Sequence, residues 1–237
     1  EAGMDLGLSD NKVTSFRLDQ KELPPAERNQ VKRTAAKYFD LAFTYAARLE
    51  KPALIVTAGM IGSGKSFQAR HLAARLGAEI IRTDVLRKEM LDIPPTEKHL
   101  DAFGEGIYSA GISQKTYEKA MELSAEIIRR GRPVIIDASF STRAQRALAV
   151  NLAGRLGVPY YIIECICPDE IVKKRLARRE HDKNNPSDGR WEILMEQKKH
   201  YEPIGEIPPD RHFTMDTSTD SEASRCRVIR GIRMAQL

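Results

Sequence analysis

The sequence predicts an α/β fold built on a five-stranded parallel sheet sandwiched by helices. Three observations predict it. Five short apolar runs, at residues 53–58, 78–83, 133–137, 158–166 and 212–216, are each of strand length and bounded by turn residues. Segments with helical periodicity separate them, so strands alternate with helices, as in sheets wound by right-handed crossovers. A glycine-rich turn joins the first run to its helix, where such sheets gather their ligands.

At 237 residues, 41% hydrophobic and 30% charged, the chain can bury a core and does not have a disordered composition. No apolar stretch reaches the ~18 residues of a membrane span. The first ten residues lack the basic and apolar regions of a secretory signal. A cytoplasmic protein is the expectation. Glu1 is not an initiator, so the expectation is that the sequence starts inside a longer protein or that Met4 is a start. Three cysteines without CxxC spacing suit a reducing compartment and argue against a disulfide or zinc scaffold. Cys165 and Cys167 share a strand face and read as small core residues. The net charge of +5 suits a protein that handles phosphates but does not announce nucleic acid.

Taken in order, residues 1–24 are mixed, polar and unassigned. Residues 26–50 read as an amphipathic helix, with Val31, Ala35, Tyr38, Ala42, Tyr45 and Leu49 on one face and Lys51-Pro52 ending it. Residues 1–50 are thus an N-terminal extension or connector, and 51–237 the main domain. The strand at 53–58 leads through the glycine turn to a helix over 65–76, closed by Gly77. The strand at 78–83 precedes a short helix at 85–91. Residues 92–114 are irregular, followed by a helix over 115–130, the third strand and a helix over 142–156. The fourth strand is followed by a basic helix over 169–180, a polar loop containing Asn184, Asn185 and Pro186, and a helix to about residue 200. The last strand is at 212–216 and the last helix begins at 222.

Gly59-Met60-Ile61-Gly62-Ser63-Gly64-Lys65-Ser66 fits G-x-x-x-x-G-K-[ST] between a strand and a helix, the context that a phosphate-binding P-loop requires. Its backbone N–H groups turn around phosphates, Lys65 reaches the β- and γ-phosphates, and the Ser66 hydroxyl serves Mg²⁺. Asp137 ends the third strand after Val134-Ile135-Ile136, as an acid holding the magnesium shell through water does. Ala138 follows it, where a motor ATPase keeps a water-activating carboxylate, and no guanine-reading NKxD motif occurs. Transfer to an acceptor therefore outranks hydrolysis.

Asp84 and Arg87 follow the second strand and share a helix face. The carboxylate suits a general base and the guanidinium an anchor for an anionic acceptor. The same position equally makes Asp84 an N-cap for a helix starting at Val85. Arg175, Arg178 and Arg179 lie on the basic helix, with Arg175 and Arg179 aligned. They fit either a lid closing over a phosphoryl group or a solvated cationic face.

Together, GMIGSGKS, RTDVLR, GRPVIIDASF and ECICPDEIVKKRLARR resemble the P-loop kinases grouped with polynucleotide kinase, zeta toxin and gluconate kinase. The closest likeness is to the ATP-binding half of bifunctional proteins whose other half is aminoglycoside-phosphotransferase-like. The resemblance runs from about Tyr38 to Thr217. It implies a P-loop NTPase fold with an arginine-bearing lid, and residues 1–50 as the connector from an N-terminal partner domain. It also implies Asp84 as general base, Arg87 as the acceptor contact, and Arg175 and Arg179 as lid arginines.

The expectation is an ATP-dependent kinase that uses Mg²⁺. Lys65, Asp84, Arg175 and Arg179 are catalytic, residues 59–66 and Arg175 bind nucleotide, and Ser66 and Asp137 serve the metal. The acceptor is a polynucleotide 5′-hydroxyl or a small molecule. The alternatives are an ATPase and a non-catalytic nucleotide switch acting through the helix at 25–50.

Overall fold

The computed structural model describes residues 24–95, 97, 99, 101–180, 189–219 and 222–236, with side chains for all of these except 39–46, 179 and 180. The chain divides into two units, Glu1–Arg48 and Leu49–Leu237. In the first, α1 spans Pro25–Ala47. It stops four residues before Lys51, and the side chains of Ala42 and Tyr45 on its expected apolar face lie outside the described residues.

The second unit holds a five-stranded sheet. Its strands are β1 (Leu54–Ala58), β2 (Glu79–Arg82), β3 (Val134–Asp137), β4 (Tyr160–Ile166) and β5 (His212–Asp216), in the order β2-β3-β1-β4-β5. Every pairing is parallel. Helices cover both faces, so the central strands are near-continuous apolar runs rather than alternating ones. Leu54, Ile55, Val56, Ile135 and Ile136 are all buried.

The helices are α2 (Lys65–Leu76), α3 (Thr83–Glu89), α4 (Ala110–Arg129), α5 (Arg143–Leu156), α6 (Asp169–Glu180), α7 (Trp191–His200) and α8 (Glu222–Met234). Helices α2 and α8 pack together, as do α4 and α5. Gly77 closes α2 at φ 67°, its N–H donating to Ala73 O. Thr142 begins α5 in a reciprocal capping box with Gln145.

The order places β1 between β3 and β4, with the β1 connection leading to β2 on one side and the β3 connection crossing β1 to β4 on the other. That is a topological switch point, and a crevice forms beyond the carboxyl ends of those strands.

Three element starts differ from the sequence reading by two residues or more. Helix α3 starts at Thr83, two residues early, because the Thr83 hydroxyl donates to Asp137 O at 3.1 Å and turns the chain directly out of β2. Helix α4 starts at Ala110, and a 3₁₀ turn at Gly106–Tyr108 lies within the stretch expected to be irregular. Strand β4 starts at Tyr160 because Val158 N–H still donates to Ala153 O of α5.

Candidate active site

The glycine turn wraps the space between the end of β1 and the start of α2. Gly59 has φ 123° and Gly62 φ 76°, conformations that side chains rarely adopt. A Cβ on Gly59 would run into the Cys165 carbonyl, and one on Gly62 would come within 2.6 Å of Val172 Cγ1. Gly59 N–H donates to Ser139 O at 3.0 Å, fixing the loop to the segment after β3. At the same strand end, the Thr57 hydroxyl donates to Ala138 O at 3.0 Å and accepts from Ala138 N–H at 3.2 Å. Thr57 and Thr83 thus grip the end of β3 and set where Asp137 points.

Lys65 Nζ donates to Met60 O at 2.8 Å, across the loop that it follows. The Ser66 hydroxyl donates to the Asp137 carboxylate. Burial raises the Asp137 pKa first, opposed by that hydrogen bond and by the Lys65 charge; Asp84 raises it further and Arg82 opposes. Arg82 Nε lies 3.7 Å from Asp137 Oδ2.

Asp84 and Arg87 occupy the first two turns of α3. Arg87 Nη1 is 3.5 Å from Asp84 Oδ1, and its guanidinium carbon lies 4.5 Å from the centroid of the Tyr108 ring. Arg87 is buried, its Nε without a hydrogen bond, whereas the Asp84 side chain is 40% exposed. The N-cap of α3 is Arg82 with no side-chain cap, so Asp84 sits inside the first turn. The reading of Asp84 as an N-cap is corrected, because the Thr83 contact starts the helix two residues before Val85.

Lys65, Ser66, Asp84, Arg87 and Asp137 line one cavity of about 230 Å³. Tyr117 lines it from α4; its hydroxyl oxygen accepts from Phe140 N–H at 3.2 Å, and burial pushes its pKa up to about 12. His99, Asp101, Phe103 and Tyr108, from the segment that follows α3 up to the start of α4, form a further wall of the cavity. Lys88, fully buried, carries that wall by donating to Glu97 O at 2.6 Å.

The structure does not bring Arg175 to the cavity lining. Its Nη1 donates to Thr217 Oγ1 at 3.1 Å and Cys167 Sγ at 3.4 Å, and its Nη2 to Thr217 O at 2.5 Å. The Thr217 hydroxyl in turn donates to Ser63 O at 2.6 Å. Arg175 therefore braces the loop from behind, where a Cβ on Gly64 would lie 3.4 Å from Nη1. Arg178 is exposed, and the Arg179 side chain lies outside the described residues, as does the loop at 181–188. Cys165 is buried in β4 as expected, and burial pushes its thiol up to about 12.

The residues missed in the sequence are Thr57, Thr83, Arg82, Lys88, Tyr108, Tyr117 and Gln197. Arg82 and Thr83 stand in RTDVLR and end the second expected strand, which was the one signal; the other five belong to no quoted motif.

Ser66 Oγ and the Asp137 carboxylate are hard oxygen groups of the kind that hold Mg²⁺ beside nucleotide phosphates. Among the described residues no cluster of three or more His, Cys, Asp or Glu forms a separate metal cage. No described helix is long and apolar enough to cross a membrane.

Solved structures, two of them kinases, share the fold. The APS kinase of Mycobacterium tuberculosis, solved with AMPPNP and APS, is 17% identical and superposes with a TM-score of 0.57, covering 78% of this chain and 99% of that one. A gluconokinase from Sinorhizobium meliloti 1021 is 18% identical at a TM-score of 0.53, covering 80% of this chain and all of that one (100%). Chaetomium thermophilum Kti12, solved with ADP-AlF3, is 18% identical at 0.57, covering 77% of this chain and 98% of that one.

Among curated proteins, an uncharacterized protein of Mycobacterium tuberculosis (strain ATCC 25618 / H37Rv) is 26% identical over 126 residues, 53% of this chain. The chain covers only 25% of that relative's length. A UPF0200 protein of Aeropyrum pernix is 28% identical over 148 residues, 60% of this chain and 70% of its own. A family model described as an AAA domain (AAA_33) matches residues 54–204, more than half of the chain, and the chain belongs to that AAA-domain family.

Proposed function

We propose that this chain is an ATP-dependent phosphotransferase that moves the γ-phosphoryl group of ATP to an acceptor hydroxyl. One observation carries the reading: the phosphate-binding lysine and the Asp84–Arg87 pair line the same cavity. A hydrolytic ATPase needs no anchored acceptor on the side of the cavity away from the loop.

The loop N–H groups and Lys65 bind and orient the nucleotide phosphates. Mg²⁺, held by Ser66 directly and by Asp137 through water, would neutralise charge on the β- and γ-phosphates. The Asp84 carboxylate accepts the proton of the acceptor hydroxyl as its oxygen bonds to the γ-phosphorus. The bond from that phosphorus to the β–γ bridging oxygen breaks, and ADP leaves with that oxygen. Arg87, over the Tyr108 ring, orients an anionic part of the acceptor. Arg175 acts through the loop that it braces, and Arg179 is the proposed lid arginine. Residues 1–50 are proposed as a connector to a partner domain, in keeping with the greater length of the mycobacterial relatives.

A cavity of this size suits a small acceptor or the end of a short chain. The test is transfer from γ-labelled ATP with Mg²⁺ to a panel of 5′-hydroxyl oligonucleotides, sugars, nucleotide sugars and aminoglycosides. Label on one class supports the reading and names the acceptor; label in free phosphate alone contradicts it.

A further inference from the structure

Helix α7 brings a neutral amide into the cavity that no sequence motif foreshadows. Ile193 and Gln197, one turn apart, both line the cavity. Between them Leu194 is buried against Val172 and Leu176 of α6. This packing, together with Arg190 Nη2 donating to Asp101 O at 2.7 Å just before α7, holds the helix across the mouth of the P-loop. Gly189 adds to the fit, since a Cβ there would come within 2.5 Å of Ile61 Cδ1.

Gln197 is only 7% exposed, and its Oε1 accepts from Ile61 N–H at 2.8 Å. A backbone N–H can only donate, so this contact fixes which end of the carboxamide faces the loop. The other end, Nε2, carries two donors and makes no hydrogen bond among the described residues. It is also absent from the buried polar atoms lacking a partner, so it is not sealed from solvent, and the residue that carries it lines the cavity. A bracing role alone needs only Oε1. A held pair of N–H donors beside the glycine loop, on a residue that lines the same cavity as Lys65 and Asp84, matches what a phosphoryl group in transit requires.

We propose that Gln197 is a further catalytic residue, whose Nε2 donates to the γ-phosphoryl group while Ile61 N–H fixes its orientation. The proposal rests on the phosphotransferase reading of this cavity. It gives the γ-phosphoryl a neutral donor besides Lys65, one that ADP does not use.

The test uses the full chain with Gln197→Glu, which keeps an oxygen for Ile61 N–H and replaces the donors with a carboxylate oxygen. Affinities for ADP and for a non-hydrolysable ATP analogue are measured by calorimetry with Mg²⁺, and transfer by single turnover. The expected result is ADP affinity within threefold of the parent, ATP-analogue affinity at least tenfold weaker, and transfer about 10²-fold slower. An unchanged ATP-to-ADP affinity ratio overturns the proposal and leaves Gln197 as a brace. If Gln197→Glu does not fold, Gln197→Met, of similar volume and without donors, carries the same ratio test with the same two outcomes. Because the ratio needs no acceptor, a parent protein that transfers to nothing defeats the phosphotransferase reading without deciding the Gln197 result.

Discussion

Arg87 Nη1 lies 3.5 Å from Asp84 Oδ1 on the same face of α3, yet the guanidinium is almost fully buried while the carboxylate is 40% exposed. The pair is therefore no surface ion pair of the kind worth little. The Tyr108 ring, 4.5 Å from the guanidinium carbon, holds one side of Arg87, and Asp84 is the partner free to meet a ligand. A compact ammonium cannot reproduce a stacked, planar fork. Arg87→Lys is predicted to raise the acceptor KM at least tenfold, with ATP affinity within threefold of the parent, as steady-state kinetics and calorimetry would show.

Asp137 is a carboxylate whose charge is opposed by its own burial. Its folded pKa is raised, so the protonated form favours folding. That favourable contribution is lost as pH rises from the ordinary value of 3.8 through the raised one. At neutral pH the charged form is a stability cost. Asp137→Asn keeps an acceptor for the Ser66 hydroxyl and removes that charge. The apo variant is predicted to melt at or above the parent temperature at pH 7.5, and Mg²⁺ should no longer strengthen its ATP binding. A large drop in melting temperature would show that the Lys65 and Arg82 charges outweigh desolvation.

Arg175 makes three hydrogen bonds behind the loop. Arg175→Met should therefore lower the melting temperature and weaken ADP and ATP equally, several-fold or more. A lid arginine touching the γ-phosphoryl would instead leave both ADP affinity and stability intact. Thermal melts and ADP titrations separate the two.

The Glu206 carboxylate accepts from the fully buried Arg146 Nε at 2.5 Å, and that hydrogen bond is the first cause pulling its pKa from 4.5 to about 2. The folded value is depressed, so the contribution is complete above 4.5 and drains as pH falls toward about 2. Glu206→Gln is predicted to flatten the acid limb of the stability curve between those values. Urea melts at pH 3 and pH 6 would show a smaller difference for the variant than for the parent.

The strands and the phosphate loop were legible because they are local. Residues 133–137 can only be a buried strand, and the spacing from Gly59 to Ser66 allows one backbone path. The strand order was not legible, because right-handed crossovers allow several orders of five parallel strands; β2-β3-β1-β4-β5 comes from the structure. What was not legible is long-range. Gln197 meets Ile61 across 136 residues, and Thr217 meets Ser63 across 154. Nothing in either sequence neighbourhood marks the partner. Lys88 reads as a solvated lysine until the fold buries it under Glu97 O. Arg175 shows the same limit: a helical register aligned it with Arg179, but register does not say that the guanidinium donates to Thr217 Oγ1. The Asp84 boundary failed by two residues because Thr83 reaches a strand that is 54 residues away.

In the proposed mechanism Asp84 takes a proton from an acceptor in the cavity that Lys65 also lines. The most direct measurement is single-turnover transfer from γ-labelled ATP by the parent and Asp84→Asn in parallel, with ADP affinity and melting temperature measured on both. Loss of an N-cap costs about 1 kcal/mol, which in a domain of this size lowers the melting temperature by roughly 2–4 °C. Asp84 does not cap α3, so the account predicts a smaller shift, unchanged ADP affinity, and acceptor labelling slowed by at least about 10²-fold. Acceptor labelling at the parent rate in Asp84→Asn, or label released equally as free phosphate by both proteins, would contradict it.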